Sequence, residues 1–284
     1  MNADFLRAII QLLRPKQWVK NAFVLAPFLF VGDFAHIDVF FNAILACGLF
    51  CLASSMVYVL NDWHDIERDK LHPKKSKTRP LASGALNKKH ALFVLCVLSV
   101  LLAWGYVFLP QMFVAVGLYL ALNGAYSLYL KHQPVWDIFT VALGFVLRVW
   151  AGALALNVVL SDWMFITTLC LALFLVSVKR RQELKEQGSQ SRAILEKYSL
   201  PLIDRYAEMS ATGALLFYSL FVLSQKPNLA LSIPLVLFGL FRYWYVMEIK
   251  NLGESPTDAL FSDWQLPFVV LLWVIFCAFQ LLGN

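Results

Sequence analysis

The chain has 284 residues and a mass of 32.3 kDa; 60% of the residues are hydrophobic, only 15% are charged, and the mean hydropathy is +0.66. A soluble domain carries about 45–50% apolar and about 25% charged residues, so this composition excludes a disordered chain, a collagen-like repeat and a soluble enzyme built on one core. A polytopic membrane protein remains, with 24 Lys and Arg against 18 Asp and Glu, a formal charge of +6.

In chain order, Asp4–Leu13 (DFLRAIIQLL) reads as a short amphipathic helix lying at a membrane interface. The basic stretch Arg14-Pro15-Lys16-Gln17-Trp18-Val19-Lys20 follows, with no small-residue cleavage site, so the first apolar run is not read as a signal peptide. Nine apolar runs come next, near 17–31, 37–60, 90–109, 111–130, 136–156, 162–179, 208–225, 229–247 and 265–282. They lack strand-like alternation, which predicts an all-α bundle of nine transmembrane helices rather than an outer-membrane barrel. Two long polar segments, about 61–89 and 180–207, separate them, with a medium one near 248–264. The whole of 1–284 reads as one integral-membrane domain. The five cysteines fall in predicted spans without a CxxC pair and carry no redox information.

The cations are unevenly placed. Four lie at the N-terminus, eight in 61–89, one at Lys131, seven from Lys179 to Arg205 and one at Lys250, 21 in all on one side of a nine-span model. The opposite side holds Lys226, while Arg148 and Arg242 fall within spans. The positive-inside rule then puts the N-terminus and both long loops in the cytoplasm and the C-terminus outside. For a bacterial chain this means the inner membrane.

Span 2 leaves the membrane as Asn61-Asp62-Trp63-His64-Asp65-Ile66-Glu67-Arg68-Asp69. On a continuous helix Asp62, Asp65 and Asp69 fall at about 0°, −60° and −20°, one stripe of three carboxylates. No Lys or Arg at helical spacing neutralises that stripe. Oxygen-only ligands suit Mg²⁺, and acids beside eight Lys and Arg suit a metal-bound polyanion. The alternatives are a solvated, charged helix end and, for the lysines, contact with anionic lipid.

The second loop opens with Lys179-Arg180-Arg181-Gln182-Glu183-Leu184; a helix would turn Lys179, Arg180 and Glu183 toward one site, or the group is a topology anchor with helix ion pairs. Arg148 lies about 12 residues into span 5, a depth that demands a partner or a polar cavity, with snorkelling as the alternative. Asn123, Tyr126 and Tyr129 share a helix face that lines a cavity or packs. Asp137 reads as a helix N-cap. No HExxH, P-loop, GxSxG or Rossmann signature occurs.

Asn61–Asp69 fits the NDxxDxxxD motif of the UbiA superfamily of intramembrane prenyltransferases, which the chain resembles. The resemblance extends to RPKQWVKN at 14–21, NDWHDIERDKLHPKKSKTRPLASG at 61–84, LKHQPVWDI at 130–138, KRRQEL at 179–184, YSLPLID at 198–204, FRYWYVME at 241–248 and the 255–266 segment. Within the superfamily these stretches are similar to the polyprenyl-phosphate phosphoribosyltransferase branch (decaprenyl-phosphate 5-phosphoribosyltransferase type). The resemblance implies a nine-helix bundle around a central cavity open to the cytoplasm. It implies phosphoribosyl pyrophosphate (PRPP) as donor, a polyprenyl phosphate as acceptor and Mg²⁺ as cofactor, giving a lipid-linked pentose precursor for cell-envelope or glycan arabinosylation. Asn61, Asp62, Asp65 and Asp69 match the family's Mg²⁺–pyrophosphate motif; Lys75, Arg79, Arg14, Lys16, Gln17 and Lys20 match its phosphate-contacting regions. Tyr126, Arg148, Lys179, Arg180 and Glu183 complete the expected substrate-binding set.

Two departures stand out. The wider superfamily carries a second aspartate-rich motif after span 6, where this chain has Lys179-Arg180-x-x-Glu183, which favours direct cationic binding of phosphate. Ser262-Asp263-Trp264 lacks the arginine expected after Ser-Asp. The other readings are prenyl transfer from an isoprenyl pyrophosphate to an aromatic ring and, outside enzymes, an anion or lipid-phosphate transporter. Transport is disfavoured because a transporter would not need three aspartates in a metal-binding stripe, and no broken helix at the midplane is evident from the sequence. No nucleic-acid partner is expected, and a homo-oligomer is compatible with the sequence.

Overall fold

The structure, a computed structural model, describes residues 3–34, 36–71, 75–187, 193–249 and 262–282; the cations Lys74, Arg192 and Lys250 and most of the 255–266 segment lie outside them. Among the described residues every regular element is helical. Helix α1 (Ala3–Leu13) is the expected amphipathic helix: Ala8 and Leu12 are buried while Leu6 and Ile10 face outward. It packs against α3 (Ile37–His64), joined by α6 (Lys88–Tyr106) through Val59, Val94 and Leu98.

The first apolar run is not a regular span. Pro15–Leu25 forms a 3-10 helix and only Ala26–Val31 (α2) is α-helical. The sequence reading missed this break. Proline at the start of each piece and the polar pair Lys20-Asn21 between them weaken a continuous α-helix, and tertiary contacts decide the outcome. The 3-10 segment packs on α3 and on α8 (Trp136–Ala155). At Gly152 of α8 an added Cβ would lie 1.9 Å from the carbonyl oxygen of Val24, so only glycine permits this approach of backbones.

Seven helices are long and apolar enough to cross a membrane: α3, α6, α8, α9 (Asp162–Gln187), α10 (Leu200–Gln225), α11 (Ile233–Ile249, with the preceding 3-10 turn from Pro227) and α12 (Gln265–Leu282). Helix α7 (Met112–Leu128) is apolar but only 17 residues, about 26 Å, against a hydrocarbon core of about 30 Å. Among the described residues seven helices thus reach the full length of a span, against the nine spans expected, with α7 shorter and the first run broken.

Helices α3, α9 and α10 continue beyond their apolar stretches. The polar segment expected at 180–207 is thus largely helical, and Ser199 caps α10 by accepting from the Leu202 amide. Large apolar side chains such as Phe93, Val100, Trp104, Phe268 and Phe279 point outward, as lipid-facing positions require. An apolar cavity of about 600 Å³ opens between α7 and α8, lined by Leu118, Leu122, Leu143, Leu147 and Trp150, with Phe165 of α9.

Candidate active site

The aspartate motif sits where α3 breaks. Helix α3 ends at His64, Asp65 occupies its C-terminal cap, and a short helix α4 (Ile66–Lys70) resumes. Helical spacing nevertheless runs on through this junction, the Asp65 amide donating to the Asn61 carbonyl (2.9 Å) and the Asp69 amide to the Asp65 carbonyl (2.8 Å), but the three aspartates differ in burial. Asp62 and Asp69 are 2% and 3% exposed, whereas Asp65 is only half-buried. Among the described residues no three His, Cys, Asp or Glu side chains gather as a ready-made metal cage.

Cations gather them instead. Helix α5 (Lys75–Thr78) and the turn after it bring in Arg79, whose Nη1 lies 3.1 Å from Asp62 Oδ1 and donates to Asp69 Oδ2. Arg14 Nη2 lies 2.5 Å from the same Asp62 Oδ1, and Lys75 Nζ is 4.0 Å from Asp69 Oδ1. Arg14 reaches there because it adopts a left-handed backbone (φ 55°) at the junction of α1 and the 3-10 segment; its guanidinium also lies 5.2 Å from the Tyr58 ring centroid. Asn61 accepts a 2.7 Å hydrogen bond from Ser127, which ties α3 to α7. Lys16 is exposed and Gln17 and Lys20 are partly buried on the first turns of the 3-10 segment.

The residues present fit a hard cation in one specific respect. Asp62 Oδ2 is buried and has no hydrogen-bond partner among the described residues. Leaving a buried acceptor unsatisfied costs about 1–3 kcal/mol, and an anionic oxygen of this kind is a Mg²⁺ ligand.

A second polar group forms at the ends of α7, α8 and α9. Arg180 donates from Nε to Asp137 Oδ2 (3.0 Å), from Nη1 to Glu183 Oε2 (2.6 Å) and from Nη2 to the Tyr126 hydroxyl (3.1 Å). Lys179 Nζ is 3.5 Å from Glu183 Oε1. The expected convergence of Lys179, Arg180 and Glu183 is thus present and takes in Tyr126. Arg180, however, is turned inward onto carboxylates.

Asp137 is not the helix N-cap expected, for its side chain serves Arg180 and Tyr198. The Tyr198 hydroxyl donates to Asp137 Oδ1 (2.7 Å) and accepts from the Val135 amide (2.6 Å). Burial and the Asp137 hydrogen bond push the Tyr198 phenol above its ordinary range, so it remains a donor. Sequence reasoning gave Asp137 only a capping role and gave Tyr198 none. The only signal available was an aspartate opening an apolar run.

Arg148, 5% exposed, donates to Asn21 Oδ1 (2.9 Å), to the Gly144 carbonyl (2.7 Å) and to the Tyr119 hydroxyl (3.1 Å). It has the partners its depth demands and does not snorkel. Of the expected Asn123, Tyr126 and Tyr129 face, only Tyr126 joins a site; Asn123 bonds back to the Tyr119 carbonyl and Tyr129 is exposed. In the Ser262-Asp263-Trp264 segment, Asp263 pairs with Arg242 and accepts from the Gln265 and Leu266 amides, capping α12.

The family model for the UbiA prenyltransferase family matches residues 22–262. The chain is 35% identical to a decaprenyl-phosphate phosphoribosyltransferase of Corynebacterium glutamicum, covering 95% of this chain and 85% of that one. It is 31% identical to a decaprenyl-phosphate phosphoribosyltransferase of Mycobacterium tuberculosis (strain H37Rv), covering 96% and 93%. Among solved structures, a UbiA homolog from Archaeoglobus fulgidus bound to GPP and Mg²⁺ superposes with a TM-score of 0.74 over 98% of this chain and 100% of that one, at 16% identity.

Proposed function

We propose that this chain, which belongs to the UbiA prenyltransferase family, transfers 5-phosphoribose from PRPP to a polyprenyl phosphate of the decaprenyl type and releases pyrophosphate. The observation that carries the reading is the meeting of Arg14, Lys75 and Arg79 with Asp62 and Asp69, in a chain whose relatives, similar over nearly their full length, carry that activity in their names. A donor with a pyrophosphate at C1 and a second phosphate at C5 needs metal ligands and an excess of cations, and this site has both kinds of side chain.

Asp62, with Asp65 and Asp69, would hold Mg²⁺, which when bound supplies Lewis acidity toward the leaving pyrophosphate. Arg14, Lys16, Gln17, Lys20, Lys75, Arg79 and Lys179 bind and orient the phosphates. The bond from C1 to pyrophosphate breaks as a bond from C1 to the lipid phosphate oxygen forms, with oxocarbenium character at C1. A phosphate monoester is already anionic near neutral pH, so no strong general base is required. Positioning and electrostatics carry the rate.

Asn61, fixed by Ser127, orients the start of the motif. Arg180, Glu183 and Tyr126 act from beneath, holding the helix that presents Lys179. The apolar cavity between α7 and α8 supports lateral entry of the isoprenoid tail from the membrane. The reaction would face the cytoplasm of a bacterial inner membrane, with the N-terminus on that side and the C-terminus outside, and its product would feed envelope or glycan arabinosylation.

Titration of the purified protein with PRPP in the presence of Mg²⁺ tests this. The reading requires saturable binding that is lost in Asp62→Asn. Binding of an isoprenyl pyrophosphate in place of PRPP would overturn it.

A further inference from the structure

The reaction as proposed leaves one buried polar cluster unused, and it lies under the 3-10 segment. Arg148 carries a charge deep in the bundle, where an unsatisfied ionisable group is costly, and its hydrogen-bond partners are all neutral. The rings of Tyr119, Phe50 and Phe145 lie 4.8, 5.3 and 5.4 Å from its guanidinium carbon and help to hold the charge. The three hydrogen bonds run to three places: the 3-10 segment (Asn21), α8 itself (Gly144) and α7 (Tyr119). A lysine ammonium lacks this planar fork.

Asn21 is fully buried, and its amide orientation is dictated by its neighbours. Arginine only donates, so the amide oxygen faces Arg148, while Nδ2 donates to Ser54 Oγ (3.0 Å) and Cys51 Sγ (3.2 Å) of α3. One residue of the segment is thereby pinned to α3 and α8 together. Trp18 adds a 3.0 Å bond to Ser55, which bonds in turn to the Leu13 carbonyl (3.0 Å). A 3-10 run of eleven residues is far beyond the usual three or four and needs such external support.

We propose that Arg148 is a positioning residue: with Asn21 it forms a buried clamp that fixes the register of Pro15–Leu25, and so sets where Arg14, Lys16, Gln17 and Lys20 meet the donor's phosphates. The assignment rests on the phosphoribosyl-transfer reading for its ligand, but the clamp itself does not depend on the substrate.

The test compares variants that cut different ties of the clamp. Asn21→Ser removes the segment's side-chain ties to Arg148, Ser54 and Cys51; it should speed amide hydrogen exchange in 15–25 and raise the KM for PRPP about tenfold, with kcat held within about twofold. Tyr119→Phe leaves the tie to the segment intact; it should lower thermal stability while leaving both exchange in 15–25 and KM near wild type. Arg148→Lys keeps the charge but loses the fork, and should behave as Asn21→Ser does. Unchanged exchange in Asn21→Ser, equal KM effects of Asn21→Ser and Tyr119→Phe, or a wild-type KM in Arg148→Lys would each overturn the clamp. A wild-type protein that does not turn over PRPP would overturn the proposed function alone, and hydrogen exchange would still judge the clamp.

Discussion

Arg79 links the two buried ends of the aspartate motif, lying 3.1 Å from Asp62 Oδ1 while donating to Asp69 Oδ2. One guanidinium, arriving from a loop seventeen positions beyond Asp62, therefore does locally what the sequence assigns to a metal alone: it relieves repulsion between carboxylates.

From this pairing, Arg79→Gln should destabilise the protein by on the order of 3 kcal/mol, because it leaves buried carboxylates short of a cation. The same variant should gain more thermal stability from millimolar Mg²⁺ than wild type does, since Asp62 and Asp69 are then freer to bind a hard cation. Differential scanning fluorimetry with and without Mg²⁺ measures both effects. An equal Mg²⁺ response in the two proteins would remove these aspartates from the metal site.

The second cluster separates two adjacent cations. Arg180 is buried against Asp137 and Glu183, so Arg180→Gln should cost about 3–5 kcal/mol and impair folding. Lys179 is more exposed, and Lys179→Gln should change stability by under about 1 kcal/mol while raising the KM for PRPP. Melting curves and donor-saturation kinetics on the two variants decide this. A stable Arg180→Gln protein with a raised KM would reverse the two roles.

Two glycines make a contrast in packing. At Gly152 the obstacle to a Cβ is the backbone carbonyl of Val24, at 1.9 Å, whereas at Gly105 it is the end of the Leu49 side chain, at 2.2 Å. Backbone cannot move aside as a leucine rotamer can, so Gly152→Ala should lose about 3 kcal/mol or more and Gly105→Ala about 1. Thermal denaturation in one detergent reads the difference.

The sequence revealed what depends on local runs of residues. Long apolar stretches located the membrane helices, and the amphipathic pattern of Asp4–Leu13 located α1. Contacts between distant positions were not legible. The break at 15–31 depends on Gly152 and Arg148, more than 120 positions away, and the inward turn of Arg180 depends on Asp137, 43 positions earlier. Helical-wheel geometry put Asp62, Asp65 and Asp69 on one stripe, but it could not see that Asp62 and Asp69 are buried and bridged by Arg79 while Asp65, at the end of α3, is only half-buried.

Val135 stores backbone strain at the turn before α8, with φ 68° in a β-branched residue whose amide is held by Tyr198. Val135 is 41% exposed, so only part of its packing would be lost on shortening it. Val135→Gly should therefore stabilise the protein by about 1 kcal/mol, seen as a higher Tm. A lower Tm would mean that the side chain contributes more than its conformation costs.

Turnover is the most direct test of phosphoribosyl transfer. Purified protein is given labelled PRPP, Mg²⁺ and a polyprenyl phosphate, and in parallel an isoprenyl pyrophosphate with an aromatic acceptor. The account predicts a lipid-linked phosphoribose with stoichiometric pyrophosphate in the first reaction, abolished by Asp62→Ala. No product there, with a prenylated aromatic product in the second, would contradict it.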